Sequence, residues 1–199
     1  LGMFDTVERL DATLTAMNSL ERYRGHFSNW YDTRDGRPLD PRYISAVDSG
    51  NLGGHLIAVG NACSEFMRHP VVNPHWMVGI EDALMLARES LQALVNDPRA
   101  RPVARKRLDE ELDALCTLVR EVLPTPAGIA GRLEELAPRT DALVESVRTM
   151  IEEGRSGIDA EWGADVLLWA GATRDSVRSH WRDCELLEPF SRLAALANA

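Results

Sequence analysis

The residues best equipped for chemistry lie between Leu20 and His55, where Asn29-Trp30-Tyr31-Asp32, Tyr43 and Asp48-Ser49-Gly50-Asn51 interrupt an otherwise plain helical sequence. Aromatic faces beside short acids and amides are what a carbohydrate site requires. The rings cover the apolar C–H faces of a sugar, while carboxylates and amides bind its hydroxyl groups in directed pairs. On this reading Trp30 or Tyr31 stacks on a sugar ring and Asn29 and Asp32 bond its hydroxyls. Tyr43 adds a further ring, and Asp48, Ser49 and Asn51 present polar groups at a helix start.

Each motif also has a plainer reading. Asp, Ser and Asn ahead of an apolar helix are preferred caps, because their oxygens accept bonds from N–H groups that have no helical partner. A Trp-Tyr pair in a loop can plug the end of a helical bundle. Asp32 and Asp48 are two acids in one loop system, and glycosidic chemistry generally uses two carboxyl groups. The sequence supplies no distance between them, so both are assigned to binding or loop structure and no residue is given a catalytic role.

Other chemistries find no pattern. The histidines His26, His55, His69, His75 and His180 show neither an HExxH nor a Cys-His spacing, so no metal is expected. Gly50, Gly53 and Gly54 lack the preceding strand and spacing of a nucleotide loop, and no cofactor is expected. Cys63, Cys116 and Cys184 are widely spaced and odd in number, and each falls in an apolar helical register. Buried thiols in a reducing compartment are the expectation.

Positioning these residues falls to helices. Apolar residues recur at helical spacing throughout, with no sustained period-two alternation, and 45% hydrophobic with 27% charged residues over 199 positions suits one soluble all-α domain. Helices are expected at about Asp5 to Arg22, from Leu52 to Phe66 after an Asp48–Asn51 start, at Val78 to Val95 and at Pro102 to Leu123. Pro124-Thr125-Pro126 and Pro138 open two further short helices. A long one from Asp159 to Leu187 carries the stripe Trp162, Trp169 and Trp181, read as core. A short tail helix after Pro189 brings the expectation to about seven helices, in an antiparallel bundle or partial α/α toroid. Breaks are expected at His69 to Pro74, Asn96-Asp97-Pro98 and Gly154 to Gly157. The segment from Gly25 to Gly50 is too long for an ordinary connection and too aromatic for a disordered one.

A net charge of −9, with 31 acids against 22 bases, argues against a nucleic-acid partner. The basic run from Arg99 to Arg107 is followed at once by Glu110 and Glu111, as on a solvated helix face. No apolar run approaches the length of a membrane span, and no signal peptide is evident.

The same block carries a family resemblance. Tyr23-Arg24-Gly25-His26-Phe27, Asn29-Trp30-Tyr31-Asp32-Thr33, Pro41-Arg42-Tyr43, Val47-Asp48-Ser49-Gly50-Asn51-Leu52 and Gly54-His55-Leu56 resemble the run that follows the membrane-bound glucosyltransferase region of cyclic β-1,2-glucan synthases. The likeness is specific over about Leu20 to Phe66 and general beyond. Arg34-Asp35-Gly36-Arg37 and Gly53 depart from that family's pattern, which is more apolar at the first and carries a small apolar residue at the second. The resemblance implies a large bacterial inner-membrane enzyme, of which this chain is the start of the middle region that cyclises the glucan by transglycosylation. It further implies part of an (α/α)6 barrel on the cytoplasmic side, with catalytic acids downstream and a β-glucan chain and the parent's other domains as partners. The exposed faces of a severed barrel give a route to a homo-oligomer. The alternative is a helical scaffold whose conspicuous loop packs against a neighbouring domain.

Overall fold

The computed structural model describes residues 1–69, 72–73, 75–95, 97, 102–154, 161–187 and 189. They form six helices, α1 (Met3–Ser19), α2 (Ala46–Phe66), α3 (His75–Ala93), α4 (Pro102–Arg120), α5 (Pro126–Gly154) and α6 (Ala164–Leu187), with a two-stranded hairpin of β1 (Arg22–Tyr23) and β2 (His26–Phe27). The all-α expectation holds, with six helices rather than seven among the described residues. The chain divides into two compact units, residues 1–4 with 71–199 and residues 5–70.

In the first unit α3 packs on α4 and α6, and α5 packs on the same two helices, closing a ring of four. Each helix contributes a stripe at alternating steps of four and three. Ile80, Leu84, Ala87 and Leu91 face Leu108, Leu112, Leu115 and Val119, and the ring is completed by Leu133, Leu136, Leu143 and Val147 with Val166, Ala170, Val177 and Cys184. Full burial of each large aliphatic is worth about 1.5–3 kcal/mol. Trp162 belongs to this core and Trp169 and Trp181 pack against it, while the Trp162 indole N–H donates to Asp97 at 2.9 Å. Arg132 lies buried on α5 and closes the end of α4, donating to the Leu118 carbonyl and, at 2.6 Å, to Glu121.

Pro138 does not open a separate helix; it sits inside the continuous α5. An internal proline costs about 3 kcal/mol. Burial of Leu133 and Leu136 before it and of Leu143, Val144 and Val147 after it outweighs that cost. Helix α6 begins at Ala164, the expected breaks at 70–71, 74, 96, 98 and 155–157 lie outside the described residues, and so does the tail beyond 189. The start of α1 is held within the same unit. The Gly2 N–H donates to Ser179 Oγ at 2.7 Å, Met3 N–H to Asp183, and Phe4 N–H to Asp183 Oδ1 at 3.0 Å. Gly2 has to be glycine here, since a Cβ would stand 2.5 Å from Asp183 Oδ2 and 2.7 Å from the Ser179 carbonyl oxygen.

The second unit is built differently. Neither α1 nor α2 buries a single residue, although both carry the apolar spacing of core helices. Leu56, Ile57 and Phe66 are exposed and Leu52 and Val59 half-buried. Cys63, expected to be buried, is exposed for the same reason, whereas Cys116 and Cys184 are buried as expected and burial pushes the Cys116 thiol pKa up. Among the described residues no helix is long and apolar enough to cross a membrane.

Candidate functional site

The site begins with the hairpin. Arg22 pairs with Phe27 and Tyr23 with His26, and the two residues between them, Arg24 (φ 51°) and Gly25 (φ 86°), take the positive φ of a tight two-residue turn. Two-residue strands are too short to leave a period-two signal, which is why the sequence pattern missed them. The loop that follows is tied rather than floppy. The Tyr31 hydroxyl accepts from Ser28 N–H at 2.8 Å and donates to the Glu21 carbonyl at 2.7 Å. Asp32 is engaged with its own turn: its carboxylate accepts from the Arg34 backbone at 2.9 Å and from the Arg34 guanidinium at 2.6 Å. The Arg34 side-chain bond, helped by the Arg34 backbone N–H, holds the Asp32 pKa below the ordinary carboxylate value. Asp32 N–H to Arg37 and Leu39 N–H to Trp30, at 2.8 and 3.0 Å, close residues 30–39 into a compact turn.

Asn29 joins this loop to α2. Its backbone N–H donates to the Tyr43 carbonyl at 2.9 Å, its Oδ1 accepts from Ser45 N–H at 3.0 Å, and its Nδ2 donates to Asp48 Oδ2 at 2.7 Å. Ser45, not Asp48, is the N-cap: its Oγ accepts from Asp48 N–H at 3.1 Å, and Ser49 bonds the Ser45 carbonyl. The helix therefore starts at Ala46, about two turns earlier than Leu52, and Asp48-Ser49-Gly50-Asn51 lies in its opening turns. That frees the Asp48 carboxylate from capping its own helix, and leaves it near the N-terminal end, where negative charge is favoured.

Hairpin and helix start enclose an open cleft of about 800 Å³. Phe27, Leu52 and Leu56 give it an apolar wall, and Arg22, His26, Asn29, Asp48 and Ser49 a polar one. Of the eight residues expected from the sequence, Asn29, Asp48 and Ser49 line it. Trp30 and Tyr43 are exposed, 64% and 59%, outside its lining, as is Asn51, while Tyr31 and Asp32 hold the loop. Sequence reasoning did not single out Arg22, His26 and Phe27 as site residues; the signal available was the Arg24-Gly25 turn, which pairs Arg22 with Phe27 across the hairpin and so puts those two on one side of it, and nothing comparable marked His26. Asp48 is the one carboxylate among the described lining residues, so the cleft offers directed hydrogen bonds without the carboxyl pair that glycosidic bond cleavage uses.

The fold defines a class: an all-helical protein with a recess between a hairpin and the start of a helix, lined by apolar, amide, hydroxyl and carboxylate side chains. The chain is 32% identical over 191 residues to cyclic beta-(1,2)-glucan synthase NdvB of Rhizobium meliloti (strain 1021), a match that takes in 92% of the chain. The resemblance to the cyclic β-1,2-glucan synthases thus extends along nearly the whole chain, not only Leu20 to Phe66, and the chain spans about 6% of the length of that relative. No family model matches the sequence.

Proposed function

We propose that this chain is a glucan-binding segment of the transglycosylating, cyclising region of a cyclic β-1,2-glucan synthase. The observation that carries the reading is the Asn29–Asp48 hydrogen bond at the mouth of the cleft, because it presents an amide and a carboxylate in fixed relation beside an apolar wall. Asn29, Asp48 and Ser49 bond glucose hydroxyls within the cleft. Trp30 and Tyr43 give the chain of sugars exposed rings beyond it, Tyr31 and Asp32 keep the loop in shape, and Asn51 stands on the same helix as a further polar contact. The substrate is a β-glucan, the partners are other parts of a larger polypeptide on the cytoplasmic side of the bacterial inner membrane, and the segment alone binds without catalysing.

The second reading, a non-catalytic scaffold or self-associating module, draws on α2, an apolar helix with no buried residue. Titration of the chain with β-1,2-linked gluco-oligosaccharides, followed by tryptophan fluorescence, separates the two. Saturable binding that Asp48→Asn weakens supports the glucan site. A folded chain that binds no oligosaccharide, or an Asp48→Asn variant with unchanged affinity, leaves the scaffold.

A further inference from the structure

Among the described lining residues the cleft has one phenyl ring, beside the His26 imidazole, and none of the tryptophan and tyrosine rings that stand out in the sequence. Phe27 lines the recess from strand β2 and is half-buried, whereas Trp30, Tyr31 and Tyr43 are absent from the lining. The ring is also held in place. Its cross-strand partner Arg22 lays a guanidinium over it, with Cζ 4.7 Å from the ring centroid, at a distance where cation and ring attract. That guanidinium is fixed in turn by the end of α1, donating to Asn18 Oδ1 at 2.9 Å and to the Met17 carbonyl at 3.3 Å. A phenyl ring anchored by strand pairing and by a cation loses little freedom when a ligand arrives, which is what a stacking surface needs.

Resting on the glucan-binding reading, we propose that Phe27, clamped by Arg22, is the ring on which a glucosyl unit stacks inside the cleft, while Asn29 and Asp48 bond that unit's hydroxyl groups. The pyranose presents an apolar C–H face and a rim of hydroxyls, and the recess is lined by groups that match both, Phe27, Leu52 and Leu56 for the first and the hydrogen-bonded Asn29–Asp48 couple for the second. The volume, about 800 Å³, is at the upper end of ordinary small-molecule sites, so the occupant is an oligosaccharide segment rather than a single sugar.

The test is calorimetric titration of the chain and three variants with a β-1,2-linked gluco-oligosaccharide. Phe27→Leu keeps apolar bulk and a strand-compatible side chain but removes the flat face, and weakens binding by about tenfold. Phe27→Tyr keeps the ring and binds within about twofold of the parent, which separates stacking from loss of the hairpin. If Phe27→Leu binds as the parent does while Asp48→Asn weakens binding, the glucan site stands and the role of Phe27 is overturned. The role is equally overturned if Phe27→Tyr, with the hairpin intact by amide exchange, binds no better than Phe27→Leu. Absence of binding by the parent chain overturns both the role and the reading it rests on.

Discussion

Asn29→Asp changes one donor into one acceptor at the junction of loop and helix, and its consequence can be worked from the distances. The carboxylate keeps the Oδ1 that accepts from Ser45 N–H at 3.0 Å, so that bond survives. Opposite it, the amide donor 2.7 Å from Asp48 Oδ2 becomes a second negative oxygen. At a separation of about 3 Å in water-like dielectric, two unit charges repel by about 1.4 kcal/mol, and a hydrogen bond to a charged group worth up to about 1.5–3 kcal/mol is lost. The pair is exposed, so solvent takes much of the second amount, and an added negative charge near the start of α2 returns about 0.3–1 kcal/mol. The net expectation is a destabilisation of the α2 start by about 1–2 kcal/mol at neutral pH.

That loss has a sign in pH. Two facing carboxylates bind a proton more readily folded than unfolded, so the variant's deficit shrinks as the pH falls through the carboxylate range near about 4, where one of the pair regains a donor. Amide exchange over residues 44–52, compared with the parent chain at each pH, reads it directly. Asn29→Ala loses both bonds and shows no such recovery. An Asn29→Asp variant as well protected as the parent at pH 7, or one whose deficit is the same at acid pH, would show that the Asn29–Asp48 bond does not hold the start of α2.

Other outcomes follow from single sites. Arg34→Gln removes the largest cause of the lowered Asp32 pKa. A carboxyl-detected NMR titration should show the Asp32 pKa rising toward its ordinary value, and the contribution of that contact to the loop, present at neutral pH, is lost as pH falls through the folded pKa. Gly2→Ala forces a methyl against Asp183 and the Ser179 carbonyl, and Asp183→Ala strands the Met3 and Phe4 N–H groups at about 1–3 kcal/mol each, so both lower the urea midpoint while Asp183→Asn lowers it less. Leu133→Ala, at a fully buried position of α5, costs about 2–5 kcal/mol in the same assay.

How much of this was legible in the sequence depended on whether the partner of each residue was near in the chain. The stripes of α3, α4 and α6 could be read because Leu84, Leu112 and Val177 recur with neighbours at fixed local spacing. Pro138 misled because its local cost is plain, while the packing that overrides it comes from α4 and α6. The cap of α2 was misplaced because Asp48-Ser49 and Ser45 are all good caps, and the choice is made by Asn29, 16 residues before Ser45. Cys63 was assigned to the core because periodicity shows which face can be buried, not whether anything in the chain covers it. Of the residues that line the cleft, Asn29, Asp48 and Ser49 were singled out by residue type, whereas Phe27 was not, because its place depends on a turn of two residues.

The central claim is that the recess between hairpin and helix takes a glucan, and the most direct measurement is NMR chemical-shift mapping of the chain during addition of β-1,2-linked gluco-oligosaccharides. A glucan in this recess gives saturable shifts concentrated at the amides of His26 to Asn29 and Asp48 to Gly53, with those of α3 to α6 unmoved. Shifts confined to the four-helix unit, or none at saturating oligosaccharide, would contradict it.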